Sequence, residues 1–292
     1  MIPPRGLLLC VLAGLAPSCA RAGTLRMEAS TTWAENILRS SAPIDWRDTL
    51  AFDAQGTFSA FRQLTAGLIA TGAAEVAYAG VPRFSKFDLL TAGVSGQARQ
   101  KFGFGPFAPT ITLDTGWHRR EARRDGDDGW TANGAITLGK RLTPAWRVAA
   151  TGDWQQHYAR SSIFDTRHHR VFGTVTWDLT DWLQLSHGNG RLWGDFTANA
   201  SPLVWPRALS GALGSNISEY YNTVSWGVTD SGGPGWVTYR VFGRVSFWWL
   251  ELSPALGRDT SLPLRYESRF SVNKVGIKYR QDFWSVQVLR RF

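Results

Sequence analysis

The stretch Ser186-His187-Gly188-Asn189-Gly190-Arg191 gathers a hydroxyl, an imidazole and an amide within six residues. These are parts that acyl transfer uses: a nucleophile, its base and a donor for the oxyanion. A serine nucleophile must lie within hydrogen-bonding reach of its base. Ser186 and His187 are adjacent, so on a strand they point to opposite faces. The other histidines, His118, His157, His168 and His169, show no spacing that converges two or three metal ligands. No metal, cofactor or enzymatic activity is expected, and these histidines read as solvated residues near a rim.

Whatever these side chains do, strands must position them. From Gly23 onward the dominant pattern is period-two alternation. Leu90, Ala92, Val94, Gly96 and Ala98 interleave with Thr91, Ser95, Gln97 and Arg99. Trp146, Val148, Ala150, Gly152 and Trp154 do the same, as do Val171, Gly173, Val175 and Trp177. Val241, Gly243, Val245, Phe247 and Trp249 form an apolar row against Arg240, Arg244 and Ser246. Leu264, Tyr266, Phe270 and Val272 alternate with Arg265, Glu267 and Arg269.

Such strands run to roughly 11–16 residues, against 5–6 in globular sheets, and match a tilted strand crossing a bilayer. A backbone in hydrocarbon must pair every polar group, which leaves a closed antiparallel barrel as the fold. Twelve strands are predicted, at 24–36, 48–62, 65–79, 87–102, 107–120, 129–141, 145–160, 167–179, 182–194, 236–250, 261–272 and 282–292. Asp195 to Gly235 reads as one long loop, although Tyr220 to Val228 alternates and with a partner would raise the count to fourteen. Tight turns such as Arg62–Leu64 and Thr180-Asp181 alternate with charged loops such as 38–47 and 120–128. Short periplasmic turns and longer extracellular loops are therefore expected. Trp33, Trp117, Trp130, Trp154, Tyr239 and Trp284 fall near the loop end, and Trp146, Trp177, Trp249 and Phe292 near the turn end. Placed on the lipid-facing row, they make two interfacial girdles.

The N-terminus reads as a cleaved export signal over residues 1–22. Arg5 precedes a short apolar core, Leu7 to Ala16, and Ala20-Arg21-Ala22 supplies the cleavage site. Residues 23–292 then form a single barrel domain. Both cysteines, Cys10 and Cys19, lie in that leader, so disulfides and thiol chemistry are excluded from the mature chain. The chain carries 32 basic and 23 acidic residues, which suits an anionic solute or lipid. Export makes nucleic acid an unsuitable partner.

By parity, Arg99, Arg147, Arg170, Arg240, Arg244, Arg265 and Arg269 point into the lumen, and so do Asp53 and Glu75. Arg240, Arg244, Arg265 and Arg269 crowd two neighbouring strands, while Asp53 and Glu75 lie on another wall. A basic ladder opposite an acidic wall makes a transverse field, as charged rings do in selective pores.

The end of the chain, with Trp284, Val286, Val288 and Phe292, resembles the C-terminal strand of bacterial outer-membrane proteins. That resemblance implies an assembly signal read by the barrel-assembly machinery; Arg290 departs from its usual apolar residue. With its regular hairpins the mature chain resembles the β-barrel porin families, some linked to exopolysaccharide loci. The resemblance implies an integral outer-membrane protein in contact with membrane lipid and lipopolysaccharide. The function expected is a narrow porin-like channel for small polar or anionic solutes, including oligosaccharides. An accessory barrel in exopolysaccharide export, or a non-conducting structural barrel, is the alternative. A third class is a barrel lipid hydrolase: the stretch at His187 is similar to the His-x-Ser-Asn motifs of outer-membrane phospholipase A and the lipid A deacylases, but serine is missing where they place it.

Strict alternation past Leu183 and Leu185 would put His187, Asn189 and Arg191 in hydrocarbon, which is expensive. A bulge at Gly188 or Gly190, or shielding by the following loop, is therefore expected.

Overall fold

The computed structural model describes residues 23–201, 203–204, 223–226, 236–274 and 276–292, with backbone alone for 223–226. The predicted leader lies outside the described residues, as do the flanks of the alternating segment around Thr223.

Twelve long strands close into an antiparallel barrel. In chain order they are β1 (Gly23–Ala34), β2 (Thr49–Gln63), β3 (Leu68–Gly80), β4 (Leu89–Lys101), β5 (Thr110–Ala122) and β6 (Gly129–Arg141), followed by β7 (Trp146–Ala159), β8 (Thr166–Asp178) and β9 (Leu183–Ala200). A short β10 (Thr223–Trp226) then pairs with β11 (Trp236–Pro254), and the two-residue β12 (Thr260–Ser261) pairs with the last strand. β13 (Leu264–Asn273) and β14 (Lys278–Arg291) complete the wall. β1 pairs with β14, Trp33 opposite Trp284, so the sheet has no free edge along the barrel.

Alternation sets the two faces of the wall. On β4, Val94 is outward and 55% exposed, between inward Ser95 and Gly93. Leu113, Ile136, Leu138, Val171 and Val286 are likewise outward and exposed. A continuous apolar surface of that extent is stable in hydrocarbon rather than water. Aromatic rings flank it. Trp117 stacks on Trp130 at 5.8 Å with Tyr158 at 6.0 Å toward the loop end, and Trp146 stacks on Trp177 at 5.0 Å toward the turn end.

Three expectations change. The segment 195–200 is not loop: it continues β9, paired with β11 as far as Ala200 opposite Val237. β9 has no bulge, because one register runs unbroken from Leu183 to Ala200. The parity of β11 is also inverted. Val241, Val245 and Phe247 are buried inside, while Phe242, Arg244, Ser246, Trp248 and Leu250 face outward. Both rows of β11 carry bulky apolar residues, so alternation alone could not choose between them. The register with β9 decides it, since Arg244 sits opposite the exposed Trp193. Tyr239, fully buried, and the inward Trp249 therefore belong to neither girdle.

Candidate functional site in the barrel interior

The connection 35–48, whose residues 38–47 read as a charged extracellular loop, folds over the barrel mouth. Its apolar residues explain this, since Leu38 is fully buried against Val81 and Phe84. Polar ties fix it. Asn36 Nδ2 donates to the carbonyls of Ser40 and Arg280, each at 2.9 Å. Asn199 Nδ2 donates to the Leu38 carbonyl at 2.6 Å, and the Ser201 amide donates to Asp45 Oδ2 at 2.8 Å. Those last two bonds use residues at the tip of β9 and just beyond it, so the strand's extra length anchors the loop.

The fold of this loop carries Arg39 into the interior with φ of +50°, a backbone region costly for a residue other than glycine or asparagine. Arg39 Nε donates to Gln281 Oε1 at 2.9 Å, and the guanidinium lies over Phe196 at 5.4 Å. No carboxylate pairs with it among the described residues. Burial, with the charge of Arg269 beside it, pulls its pKa down to about 10.

The connection 123–128 also turns inward. Arg124 is buried, donates to Asp127 Oδ2 at 2.8 Å and covers Phe164 at 4.2 Å. Asp127 further meets Arg120 at 3.4 Å and His157 at 3.2 Å. Burial alone would raise the Asp127 pKa. The bond to His157 and the charges of Arg120 and Arg124 outweigh it and hold the carboxyl at about 2. One carboxylate cannot satisfy two guanidinium groups: Arg120 Nε, Arg124 Nε and Arg124 Nη1 are buried without a hydrogen-bond partner.

These groups converge on a cavity of about 470 Å³, where Arg39, Arg124, His168, Arg170, Arg265 and Arg269 meet. Arg170 donates to Asp153 at 2.8 Å and lies over Phe172, and Arg265 and Arg269 both grip Glu267 at 2.5 Å, over Trp249 and Phe283 respectively. Aromatic faces below and few acids around them leave the cavity cationic.

The remaining sequence candidates are dispersed. Arg99 and Arg147 line a separate 570 Å³ cavity at the turn end, where Asp178 holds Arg147 at 2.8 Å and Arg141 at 3.3 Å. Arg99 has no ion pair among the described residues. Asp53 accepts from Ser30 at 3.3 Å in a 360 Å³ cavity shared with Glu28, and Glu75 binds Ser95 and His118. Asp53 and Glu75 thus form the acidic wall on β2 and β3, and Arg170 stands on β8, six strands round the barrel from β2.

Two members of the expected basic ladder are elsewhere. Arg244 faces outward, and Arg240, on the same row, donates to the Asp165 carbonyl at 2.6 Å. Their replacements, Arg39 and Arg124, come from loops. The signal that could have found them is apolar: Ile37, Leu38 and Trp46 flank Arg39 in a segment read as polar. His157 is 5% exposed and holds Asp127, so it is not a solvated rim histidine. Ser186 is buried inward and donates to Thr176, whereas His187 faces outward, so they form no nucleophile and base pair. Trp284, Val286 and Val288 lie on the outer row as their alternation requires, with Phe292 exposed at the end.

The architecture is a closed twelve-stranded antiparallel β-barrel with a charged interior, and the comparisons agree on that fold. An outer-membrane channel from Pseudomonas putida F1 superposes with a TM-score of 0.53 at 11% identity, covering 95% of this chain and 100% of that one. The transport unit of the autotransporter AIDA-I from Escherichia coli (TM-score 0.48, 8% identity, 95% and 93% covered) and the NanC porin (0.46, 8%, 90% and 98%) are more distant. No family model and no curated protein matches the sequence.

Proposed function

We propose that this chain is an integral outer-membrane barrel that passes small anionic or polar solutes through a narrow lumen. The observation that carries this reading is the cationic cavity behind the first loop, where half-buried Arg39 has no carboxylate partner among the described residues and buried Arg124 keeps two nitrogens, Nε and Nη1, without an acceptor. Buried, unpaired guanidinium groups cost stability. A passing carboxylate, sulfate or phosphate would supply the missing acceptors. Aromatic faces under Arg265 and Arg170 suit the apolar faces of a sugar ring, so acidic sugars fit the same cavity. The likeness in fold to a channel supports the compartment and is silent on the solute.

Planar-bilayer recording of the purified, heat-modifiable barrel tests the reading. Small single-channel steps with chloride favoured over potassium are expected, and Arg39→Gln with Arg269→Gln should reduce that preference several-fold. Well-folded protein that conducts nothing would sink it in favour of a structural barrel.

A further inference from the structure

The outer wall between β8 and β13 departs from the apolar band. His187, Asn189 and Arg191 are exposed on the lipid side of β9, and Arg244 and Ser246 are exposed beside them on β11. Arg191 stands opposite Ser246, and Arg244 opposite Trp193. The close diagonal of this ladder is fixed by a ring contact: His187 pairs with Leu250 but meets Trp248, two residues earlier, at 6.4 Å. The same diagonal sets Arg191 beside Arg244. The register therefore makes two arginines diagonal neighbours on a surface that faces hydrocarbon.

Two outward arginines elsewhere on the wall carry their own acids. Arg119 lies 4.0 Å from Glu121 and Arg280 3.0 Å from Asp282. Neither Arg191 nor Arg244 has an ion pair among the described residues. Asp195, further along β9, accepts from the Arg167 amide at 3.1 Å and lines the interior cavity. An arginine on the lipid face costs about 2–4 kcal/mol at the midplane and little at the interface. Arg191 and Arg244 stand eight and ten residues from the turn ends of β9 and β11, about 26–33 Å along tilted strands, so snorkelling side chains reach the outer headgroup layer. Trp193, 39% exposed between them along the ladder, is the residue expected at that depth. A second copy of this wall would bring arginine against arginine, whereas a phosphate between the two satisfies both.

We propose that Arg191 and Arg244, with Trp193 beneath the acyl chains' attachment, form a docking site for the phosphate of a phosphorylated glycolipid of the outer leaflet. This rests on the membrane placement of the barrel and not on whether its lumen conducts.

The test is retention of lipid A by the full chain in detergent, read by native mass spectrometry, with bisphosphorylated lipid A and its dephosphorylated form as probes. Wild type should retain the bisphosphorylated form, and Arg191→Gln with Arg244→Gln should lose at least tenfold in retention while conductance and heat-modifiable migration stay unchanged. Arg244→Lys should retain most of the binding and Arg119→Gln all of it. Equal retention by wild type and the double variant, or equal binding of the dephosphorylated lipid, overturns the proposal. So does a dimer that the double variant dissociates, which would make a second copy the occupant.

Discussion

Arg39 on the first loop donates through Nε to Gln281 on the last strand, 2.9 Å away, and this bond ties the loop to the seam where β1 and β14 close the barrel. Gln281 Nε2 in turn donates to the Asn36 carbonyl at 3.0 Å, so both ends of its amide hold the loop. The loop is a built part of the interior, and Arg39 is the charge it delivers.

Arg39 sets stability against selectivity. Replacing a half-buried, carboxylate-free charge by an apolar residue of similar length is often stabilising. Arg39→Met should raise unfolding stability in micelles by roughly 1 kcal/mol and lower anion preference in bilayers. A variant that is less stable and equally selective would show that Arg39 serves the fold alone.

The Asp127 cluster predicts an acid limit. Its folded pKa, about 2, lies below the ordinary carboxylate value. A depressed carboxylate contributes stability that is complete above its unfolded pKa and disappears as pH falls through its folded one. That contribution, on the order of 2 kcal/mol, should be present at pH 5 and drain away between about 4 and 2. Urea midpoints measured across that window should fall more steeply for wild type than for Asp127→Asn. Equal slopes would refute the assignment.

The barrel and most of its inward charges were legible because one row of each strand was plainly apolar, as on β4 and β13. β11 was not, since Phe242, Trp248 and Leu250 on one row rival Val245, Phe247 and Trp249 on the other. Only pairing with β9 separates them, and pairing is a long-range fact. The loops hid their role for a similar reason: the charge of Arg39 and Arg124 is visible in sequence, but what encloses it is long-range, the tips of β9 and β14 for Arg39 and the rings of Phe87 and Phe164 for Arg124.

His187 should be dispensable for lipid chemistry. It faces outward beside Trp248 while Ser186 donates inward to Thr176 at 3.2 Å. His187→Ala should leave phospholipid turnover in reconstituted vesicles at the level of wild type. Hydrolysis by wild type that this variant abolishes would restore the enzyme reading.

The glycines of β9 offer the sharpest structural test, because a bulge and a tight wall demand different things of them. With the register unbroken, Gly188 and Gly190 are needed for space. A Cβ on Gly188 would come within 2.2 Å of the Trp249 ring, and one on Gly190 within 2.4 Å of Phe172 Cβ. Trp249 carries Arg265 on its face, at 4.4 Å. Gly188→Val should therefore overpack the lumen, cost about 1–3 kcal/mol, and displace the Arg265 guanidinium from the cavity, seen as altered conductance as well as lower stability. Gly173→Val on β8, whose nearest neighbour to an added Cβ is 3.9 Å away, is the matched control and should be tolerated. If both variants behave alike, the crowding at Trp249 is not what keeps position 188 small.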